Sequence, residues 1–221
     1  MATITPTEMT LDELKEALAP LLGSHAAFDG WSQRALEMAA AELGVPAERA
    51  RIAFPGGAME MIDAWFDSID RRMLAAFSPE QVAAMKIRER IGALLLFRFE
   101  TLRPTKEALR RAVAILAMPQ NAFAAARLAW RSADRIWRVA GDTATDYNHY
   151  TKRTILIGVY GSTTLVFLDD ESDDLGPTRA FLDRRIGDVM RFEKTKARFT
   201  GRAGNRPSIS RFLGRLRYPA R

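Results

Sequence analysis

The amino-acid sequence predicts an all-α protein. Residues that favour helices dominate the 221-residue chain, and 48% of its residues are apolar. Glycine and proline mostly fall between the apolar stretches, and no segment shows the sustained alternation of apolar and polar residues that a half-buried strand requires. A chain of this length can bury one substantial core together with a small second subdomain.

Apolar residues that recur every three or four positions predict nine helices. The predicted helices span residues 8–22, 31–43, 46–53, 56–76, 79–101, 104–117, 119–140, 145–169 and 177–199. The first, second and fifth carry start signals. Thr10 with Glu13 forms a capping box, Ser32 is placed to cap the second helix, and Ser78-Pro79 supplies a cap and a first-turn proline.

Prolines and glycines delimit the later helices. Pro104, Pro119 and Pro177 stand where a first helical turn tolerates the missing N–H, and Gly44, Gly141 and Gly176 are the matching stops or turns. Apolar stripes at helical spacing predict the core-facing sides of the first, fifth and ninth helices. These stripes are Leu11, Leu14, Leu18, Leu21 and Leu22; Ile87, Ile91, Leu94, Leu95 and Phe99; and Phe181, Leu182, Ile186, Val189 and Met190. The acidic run at 169–174 lies between two helices and is expected to face solvent.

Residues 30–57 read as a helix-turn-helix. Ala40 and Gly44, four residues apart, let two helices approach and end the first of them in a tight turn. The motif is typical of DNA-binding domains and also of three-helix scaffolds that bind no DNA. Residues 1–75 carry six basic and twelve acidic side chains, a net charge of −6, whereas DNA binding depends on neutralising phosphates. The negative net charge of residues 1–75 therefore favours a three-helix scaffold that binds no DNA over a DNA-binding domain.

The basic charge of the chain is concentrated near its end. Residues 191–221 contain ten Lys or Arg and one Glu, a net charge of +9, so the other 190 residues carry −3 of the formal +6. The first residues lack the basic and apolar regions of a secretory signal, and the absence of cysteine excludes disulfides and thiolate chemistry. No apolar run reaches the roughly 18 residues of a membrane-spanning helix. We expect a cytosolic chain, or a mature form that has lost a targeting segment.

The turn before the eighth predicted helix holds the one candidate for catalysis. Asp146 and His149 lie three residues apart and would form an acid–base pair or half of a metal site. A capped helix start with a partly exposed histidine explains the same residues. With two histidines in the chain, no second carboxylate–histidine set completes a metal centre, and no phosphate-binding glycine loop occurs. Nothing in these residues names a reaction, and we expect no cofactor and no metal.

The most specific pattern in the chain runs from Trp137 to Arg153. It reads Trp-x-x-Ala-Gly-Asp-x-x-Thr-Asp-x-Asn-x-Tyr-Thr-Lys-Arg. With "DGWSQRALEMAAAELGV" and "AMP" upstream, it resembles the Coq-nine family, ubiquinone-biosynthesis accessory proteins built on the TetR regulator fold. The likeness covers most of residues 28–195. The segments "SDDLGPTRAFL" and "VYGSTTL" depart from the family pattern, and the chain beyond residue 199 matches nothing in it.

The resemblance implies a TetR-regulator-like fold and a protein that is not an enzyme. Members of the family bind an isoprenoid quinone intermediate in an apolar cavity and deliver it to a membrane-bound hydroxylase acting late in ubiquinone synthesis. The resemblance also implies that the helix ending near Trp137 docks the hydroxylase, with Asp134 and Trp137 at the matching positions. Family members have generally lost DNA reading, so no nucleic-acid partner is expected. A homodimer is expected by analogy with regulators of this fold.

The region 85–170 provides candidate lipid-binding residues. It is rich in Leu, Ile, Met and Phe, and Gly158 and Gly161 reduce the bulk of one helix. Small residues among large ones leave room for a ligand, and methionine adapts to variable guests. For any single candidate, plain core packing is the simpler explanation. The candidates are Met85, Leu95, Phe97, Leu116, Met118, Phe123, Leu156, Tyr160 and Leu165.

The last sixteen residues, "RPSISRFLGRLRYPAR", combine five arginines with an apolar stripe at positions i, i+3, i+4 and i+7. The segment is too short to be a stable helix alone in water. We predict that it becomes helical on anionic membranes, tethered by residues 200–207. A loosely bound basic tail and a dimer contact are the alternatives. The predicted membrane-contacting residues are Ile209, Arg211, Phe212, Leu213, Arg215 and Leu216.

The predicted organisation has three parts. Residues 1–76 form a helix-turn-helix-like subdomain, residues 77–199 a lipid-binding helical domain, and residues 200–221 the basic tether and membrane-contacting helix. The expected location is the inner face of the cell membrane, or the matrix side of the inner membrane in a mitochondrion. The alternative function is a TetR-type ligand-responsive transcription regulator. A weaker third is an enzyme that uses Asp146 and His149.

Overall fold

The computed structural model describes residues 8–143 and 147–201, and every regular element in those ranges is helical. The α-helices are α1 (Leu11–Asp29), α2 (Gln33–Leu43), α3 (Ala47–Ala53), α4 (Gly57–Ala76), α5 (Pro79–Ala83), α6 (Ile87–Leu102), α7 (Lys106–Leu116), α8 (Ala122–Val139), α9 (Tyr147–Asp169) and α10 (Gly176–Gly201). Single 3₁₀ turns, Arg103–Thr105 and Pro119–Asn121, precede α7 and α8. The all-α prediction is confirmed.

The helix caps predicted at Thr10, Ser32, Gly44 and Ser78 are present in the structure. The Thr10 hydroxyl accepts from the Glu13 N–H, and the Glu13 carboxylate accepts from the Thr10 N–H at 2.8 Å. Ser32 caps α2, and Ser78 forms a second capping box at the start of α5. Gly44 ends α2 in the left-handed region at φ 74°, where a side chain would be strained.

Helix α1 continues to Asp29, seven residues beyond its predicted end, although Pro20 lies inside it. Tertiary packing outweighs the backbone hydrogen bond that the proline removes, because Leu22 and Ala26 are fully buried in the extended part. Close approach of α1 to α4 depends on Gly23. A Cβ atom there would lie 2.5 Å from Nε1 of Trp65, well inside van der Waals contact.

The single helix predicted over 79–101 is wrong, since the chain forms two helices, α5 and α6, with a break between Ala83 and Ile87. The guanidinium of Arg90 stabilises the break. It donates to the carbonyl oxygens of Met85 at 2.8 Å, Ala83 at 3.1 Å and Ala140 at 2.8 Å. Arg90 thereby satisfies carbonyls that the interruption leaves without helical partners and ties the break to the end of α8.

The acidic run does not face solvent throughout, contrary to the expectation. Asp170 is only 3% exposed. Its carboxylate accepts from the backbone N–H of Ser172 and of Thr178, both at 3.0 Å, and from their hydroxyls at 2.5 Å. Burial raises the pKa of Asp170, but these hydrogen bonds outweigh it and lower the pKa to about 2. A charged Asp170 therefore caps the start of α10.

The helices before α5 pack together around α1, which contacts α2, α3, α4 and also α7. Trp31, just before α2, donates from Nε1 to the carbonyl oxygen of Ala108 at 3.0 Å and so joins this group to α7. Helix α8 packs against α4 and α9. These contacts place α4, α7, α8 and α9 around a common interior.

By its contacts the chain divides into two units, residues 1–182 and residues 183–221, with the boundary inside α10. The second unit shows ion pairs along its helix, where Arg185 and Arg191 both contact the carboxylate of Asp188. The boundaries expected after residues 76 and 199 stay predictions.

Candidate functional site

A cavity of about 330 Å³ opens between α4, α7, α8 and α9. Its walls are almost entirely carbon, with three polar side chains among seventeen lining residues. The lining residues are Phe66, Leu109, Val113, Leu116, Ala117, Ala125, Leu128, Ala129, Ser132, Ala133, Ile136, Leu156, Ile157, Tyr160, Gly161, Thr164 and Leu165. A space of this kind suits an apolar ligand with few polar atoms.

Four of the nine residues singled out for lipid binding line the cavity. They are Leu116, Leu156, Tyr160 and Leu165. The other five lie elsewhere. Leu95 is fully buried, and Phe97 packs edge-on against Phe77 with ring centroids 5.6 Å apart. Met85 is half-buried at the α5–α6 break, while Met118 and Phe123 are exposed by 43% and 82%.

Helix α8 contributes six lining residues, none of them among the predicted lipid-binding residues. They are Ala125, Leu128, Ala129, Ser132, Ala133 and Ile136. Small side chains recur here at i, i+4 and i+8 on the face that points toward α7 and α9. That alanine spacing is the sequence signal that would have located this wall, because small residues on an otherwise buried face keep neighbouring helices from filling the space between them.

A buried ion pair lies behind the cavity wall. Asp70 of α4 and Arg98 of α6 are both fully buried, and Nη1 of Arg98 donates to Asp70. Nε of Arg98 also donates to the phenol oxygen of Tyr160 at 3.2 Å, and the hydroxyl of Ser132 donates to Asp70 at 3.4 Å. Since Tyr160 and Ser132 line the cavity, this polar network borders it.

The charge state of Arg98 follows from its partners. Burial lowers the pKa of a guanidinium, but the oxygens of Tyr160 and Asp70 outweigh that effect and hold the pKa of Arg98 above its ordinary value. Arg135 of α8 adds a second guanidinium, which contacts Asp70 at 3.1 Å and also Asp67. Each positive group of the network thus has a carboxylate beside it.

The outer face of α8 carries aromatic side chains. Phe123, Trp130 and Trp137 lie at i, i+7 and i+14, on one side of the helix. The ring of Trp130 lies 5.8 Å from that of Tyr150 on α9, and Tyr150 is 60% exposed. We call Phe123, Trp130, Asp134, Trp137 and Tyr150 the α8 surface. Phe123 and Tyr150 are exposed, whereas Trp130 and Trp137 are half-buried. Exposed aromatic side chains next to half-buried ones are typical of interaction sites.

The two predicted docking residues are held by α9. Trp137 donates from Nε1 to the carbonyl oxygen of Lys152 at 3.1 Å, and the Lys152 ammonium lies 5.3 Å from the centre of the Trp137 ring. Asp134 accepts from Nε of Arg153 and from Nε of Arg138, both at 2.7 Å. Burial raises the pKa of Asp134, and these guanidinium groups more than offset it, so the net shift is downward. Both residues therefore also stabilise the α8–α9 contact.

The candidate acid–base pair is only half described, because Asp146 lies outside the described residues. His149 packs against the rings of Trp130 and Tyr150, with centroids 6.1 Å and 5.1 Å away. In residues 8–143 and 147–201, no group of three or more His, Asp or Glu side chains is placed to hold a metal ion.

The predicted membrane-contacting residues, Ile209 to Leu216, also lie outside the described part of the chain. Among the helices that are described, none alone is long and apolar enough to cross a bilayer. One pair of segments, Ile87–Leu116 and Pro119–Val139, bent by 90°, meets that test together on length and composition.

Comparison with known proteins gives a consistent result. Residues 122–193 match the model of the COQ9 family. The chain is 32% identical over 183 residues to the mitochondrial ubiquinone biosynthesis protein COQ9 of Rattus norvegicus, covering 79% of this chain and 58% of that protein. It is 30% identical to the Homo sapiens COQ9 protein, covering 79% and 57%. The chain thus spans less than two thirds of the relatives it matches.

A solved structure with the same fold is a TetR transcriptional regulator from Nitrosomonas europaea. It superimposes with a TM-score of 0.62 at 26% identity, covering 80% of this chain and 97% of the regulator. The predicted TetR-like architecture is confirmed.

Proposed function

We propose that the chain is an accessory protein of ubiquinone biosynthesis, because residues 122–193 match the model of the COQ9 family and the chain is similar to COQ9 proteins over most of its length. In this proposal the protein is not an enzyme. It binds an isoprenoid quinone intermediate and presents it to a membrane-bound hydroxylase, as a homodimer at the membrane that holds the quinone pool.

The observation that carries the proposal is the apolar cavity. Its volume of about 330 Å³ is near the lower end of the usual range for ligand pockets. It suits a substituted ring with a short length of hydrocarbon. A longer isoprenoid tail would leave through the open side, where Leu165 is 60% exposed. Apolar walls of this kind favour contact with hydrocarbon over contact with water.

Extraction of the purified protein with organic solvent, followed by mass spectrometry, tests the proposal. We expect an isoprenoid quinone or prenylated ring compound in near-stoichiometric amount. Protein that carries no lipid, and that also fails to take up a short-tailed quinone added in detergent, would contradict the proposal.

The α8 surface supports the docking part of the proposal, and two exposed phenylalanines provide a matched test. Phe123 on α8 is 82% exposed, and Phe28 at the end of α1 is 85% exposed. We expect Phe123→Glu to weaken binding of the ubiquinone-pathway hydroxylase by at least about tenfold, because aromatic anchors dominate interfaces and a desolvated carboxylate opposes docking. Phe28→Glu is expected to leave it unchanged.

The measurement is an equilibrium titration with the hydroxylase of the same organism, with helicity checked by circular dichroism. If both variants lose the same affinity for the hydroxylase, the added negative charge acts regardless of its position. That result would argue against the α8 surface as the docking site. Trp137 is a poorer test position, because its replacement also removes the hydrogen bond to Lys152.

The basic C-terminal segment supports a location beside an anionic bilayer. We expect a peptide of residues 200–221 to gain helicity with vesicles containing anionic phosphatidylglycerol, and to stay unstructured with neutral phosphatidylcholine vesicles. Circular dichroism measures both. Equal helicity with the anionic and the neutral vesicles would contradict a preference of this segment for anionic membranes.

The likeness to a TetR regulator favours a second candidate, a ligand-responsive transcription regulator. The helix that would read DNA is poorly suited to it. In α3, Arg51 pairs with Glu37 at 2.6 Å, Arg49 donates to the carbonyl oxygen of Met9, and Glu48 is exposed. Sequence-specific DNA binding with a steep salt dependence would establish this candidate instead.

A further inference from the structure

Three polar side chains line the cavity, and two of them use their hydroxyl hydrogens within the protein. Thr164 donates to the backbone carbonyl of Tyr160 at 2.8 Å, and Ser132 donates to Asp70 at 3.4 Å. Tyr160 differs. Its phenol oxygen accepts from Arg98, so its own hydrogen must be donated elsewhere, and among the described residues none accepts it.

A second donor in the same network lacks a partner. Nη2 of Arg98 is buried and has no acceptor among the described atoms. Tyr160 lines the apolar cavity and Arg98 is hydrogen-bonded to it, so two donors of one network lack acceptors among the described residues. A ligand oxygen that reaches Tyr160 would supply an acceptor that the described residues do not. A buried donor without an acceptor destabilises the empty protein. A ligand oxygen that accepts its hydrogen bond removes this cost, and binding becomes more favourable.

The charges around Tyr160 indicate which kind of oxygen fits. Arg98 is paired with Asp70, and Arg135 contacts both Asp67 and Asp70. A phosphate or carboxylate ligand would come close to these carboxylates without a cation of its own to meet. A neutral oxygen with a lone pair, such as a ring carbonyl, needs only the donated hydrogen bond.

We propose that Tyr160 is the polar anchor of the cavity and donates its phenol hydrogen to a neutral ring oxygen of the bound ligand. Arg98 is the positioning residue, because its hydrogen bond occupies the phenol oxygen and strengthens the O–H as a donor. This inference rests on the proposed function, since it names the chemical class that the same cavity prefers.

The anchor also sets the direction of the ligand. Arg98 is fully buried, so the Tyr160 oxygen that it contacts lies at the inner side of the cavity. Leu165, five residues further along α9, is 60% exposed. The oxygen-bearing ring therefore lies innermost, and the hydrocarbon tail points toward the exposed part of α9.

Two probes that differ only in their oxygens test the inference. One is a benzoquinone with a geranyl tail, and the other is geranylbenzene, which has the same tail and no acceptor. The variant is Tyr160→Phe, which keeps the ring that packs against Phe99 at 5.4 Å. The control is Tyr150→Phe, on the same helix but outside the cavity. Calorimetric titration in dilute detergent gives the affinities, and thermal unfolding confirms that both variants are folded.

We expect Tyr160→Phe to lower the affinity for the quinone about three- to tenfold, which is the effect of losing one hydrogen bond. Geranylbenzene is expected to bind this variant equally well or better, because no hydroxyl is left unpaired. Tyr150→Phe should change neither affinity. Wild-type protein should itself prefer the quinone, which gives a second measurement that needs no variant.

The outcomes separate the two proposals. Quinone affinity unchanged by Tyr160→Phe, or equal losses for both probes, would overturn the anchor while leaving the lipid-binding function intact. Equal wild-type affinity for the two probes would also overturn it. If neither probe binds wild-type protein, the proposed function itself fails.

Discussion

Replacing Asp70 with leucine is expected to lower the free energy of unfolding by about 3–5 kcal/mol, because it breaks a fully buried ion pair. The substitution leaves the Arg98 guanidinium fully buried without its carboxylate, and it removes the acceptor of Ser132. In a protein of this size the loss corresponds to a fall in melting temperature of about 6–20 °C. Chemical denaturation followed by circular dichroism measures it.

The double variant Asp70→Leu with Arg98→Met provides the control. Both charges are then replaced by apolar side chains of similar size, so most of the lost stability should return. A single variant as stable as the wild type would contradict the buried pair. A double variant no better than Asp70→Leu would show that the damage comes from packing rather than from an unpaired charge.

Local signals predicted the helix boundaries well, and long-range contacts set those that were missed. The caps at Thr10 and Ser32 and the left-handed Gly44 depend only on neighbouring residues, so the sequence reveals them. The break between α5 and α6 has no glycine or proline to mark it. It depends on Arg90 reaching Ala140, fifty residues away along the chain, a contact that no local pattern contains.

The cavity was predicted on the α9 side and missed on the α8 side for a related reason. Leu156 and Tyr160 stood out as large apolar residues beside glycines. Ala129 and Ala133 matter for the volume they leave empty, and that volume exists only once α7 and α9 are in place. The same limit applies to Arg98, which reads as an ordinary surface charge until α4 brings Asp70 against it.

Tyr160 and Ser132 belong both to the buried polar network and to the cavity wall, so the contacts that stabilise the fold also shape the binding site. Tyr160 is fixed between Arg98 and the ring of Phe99, so its position in the empty protein already suits a ligand oxygen. A wall arranged in advance loses little conformational freedom on binding, which raises affinity without further contacts. Substitutions inside the cavity should accordingly separate binding from folding.

Ala129→Phe is expected to abolish uptake of the geranyl benzoquinone, with a loss of at least about a hundredfold. Ala129 lies on the cavity face of α8, so the added phenyl ring occupies the space that the ligand needs. The melting temperature should stay level or rise, because the ring fills an existing void with apolar atoms rather than displacing packed neighbours. Calorimetric titration and thermal unfolding measure the two effects separately.

Ala126→Phe is the matched control, since Ala126 lies three residues earlier on α8 and is exposed. It adds the same ring to the same helix outside the cavity, and we expect quinone binding to remain within a factor of two of wild type. If both variants bind the quinone normally, the ligand does not lie in this cavity, whatever lipid the protein carries. If Ala129→Phe loses both binding and stability, the cavity is smaller in solution than the structure describes, and the ring has overpacked the core.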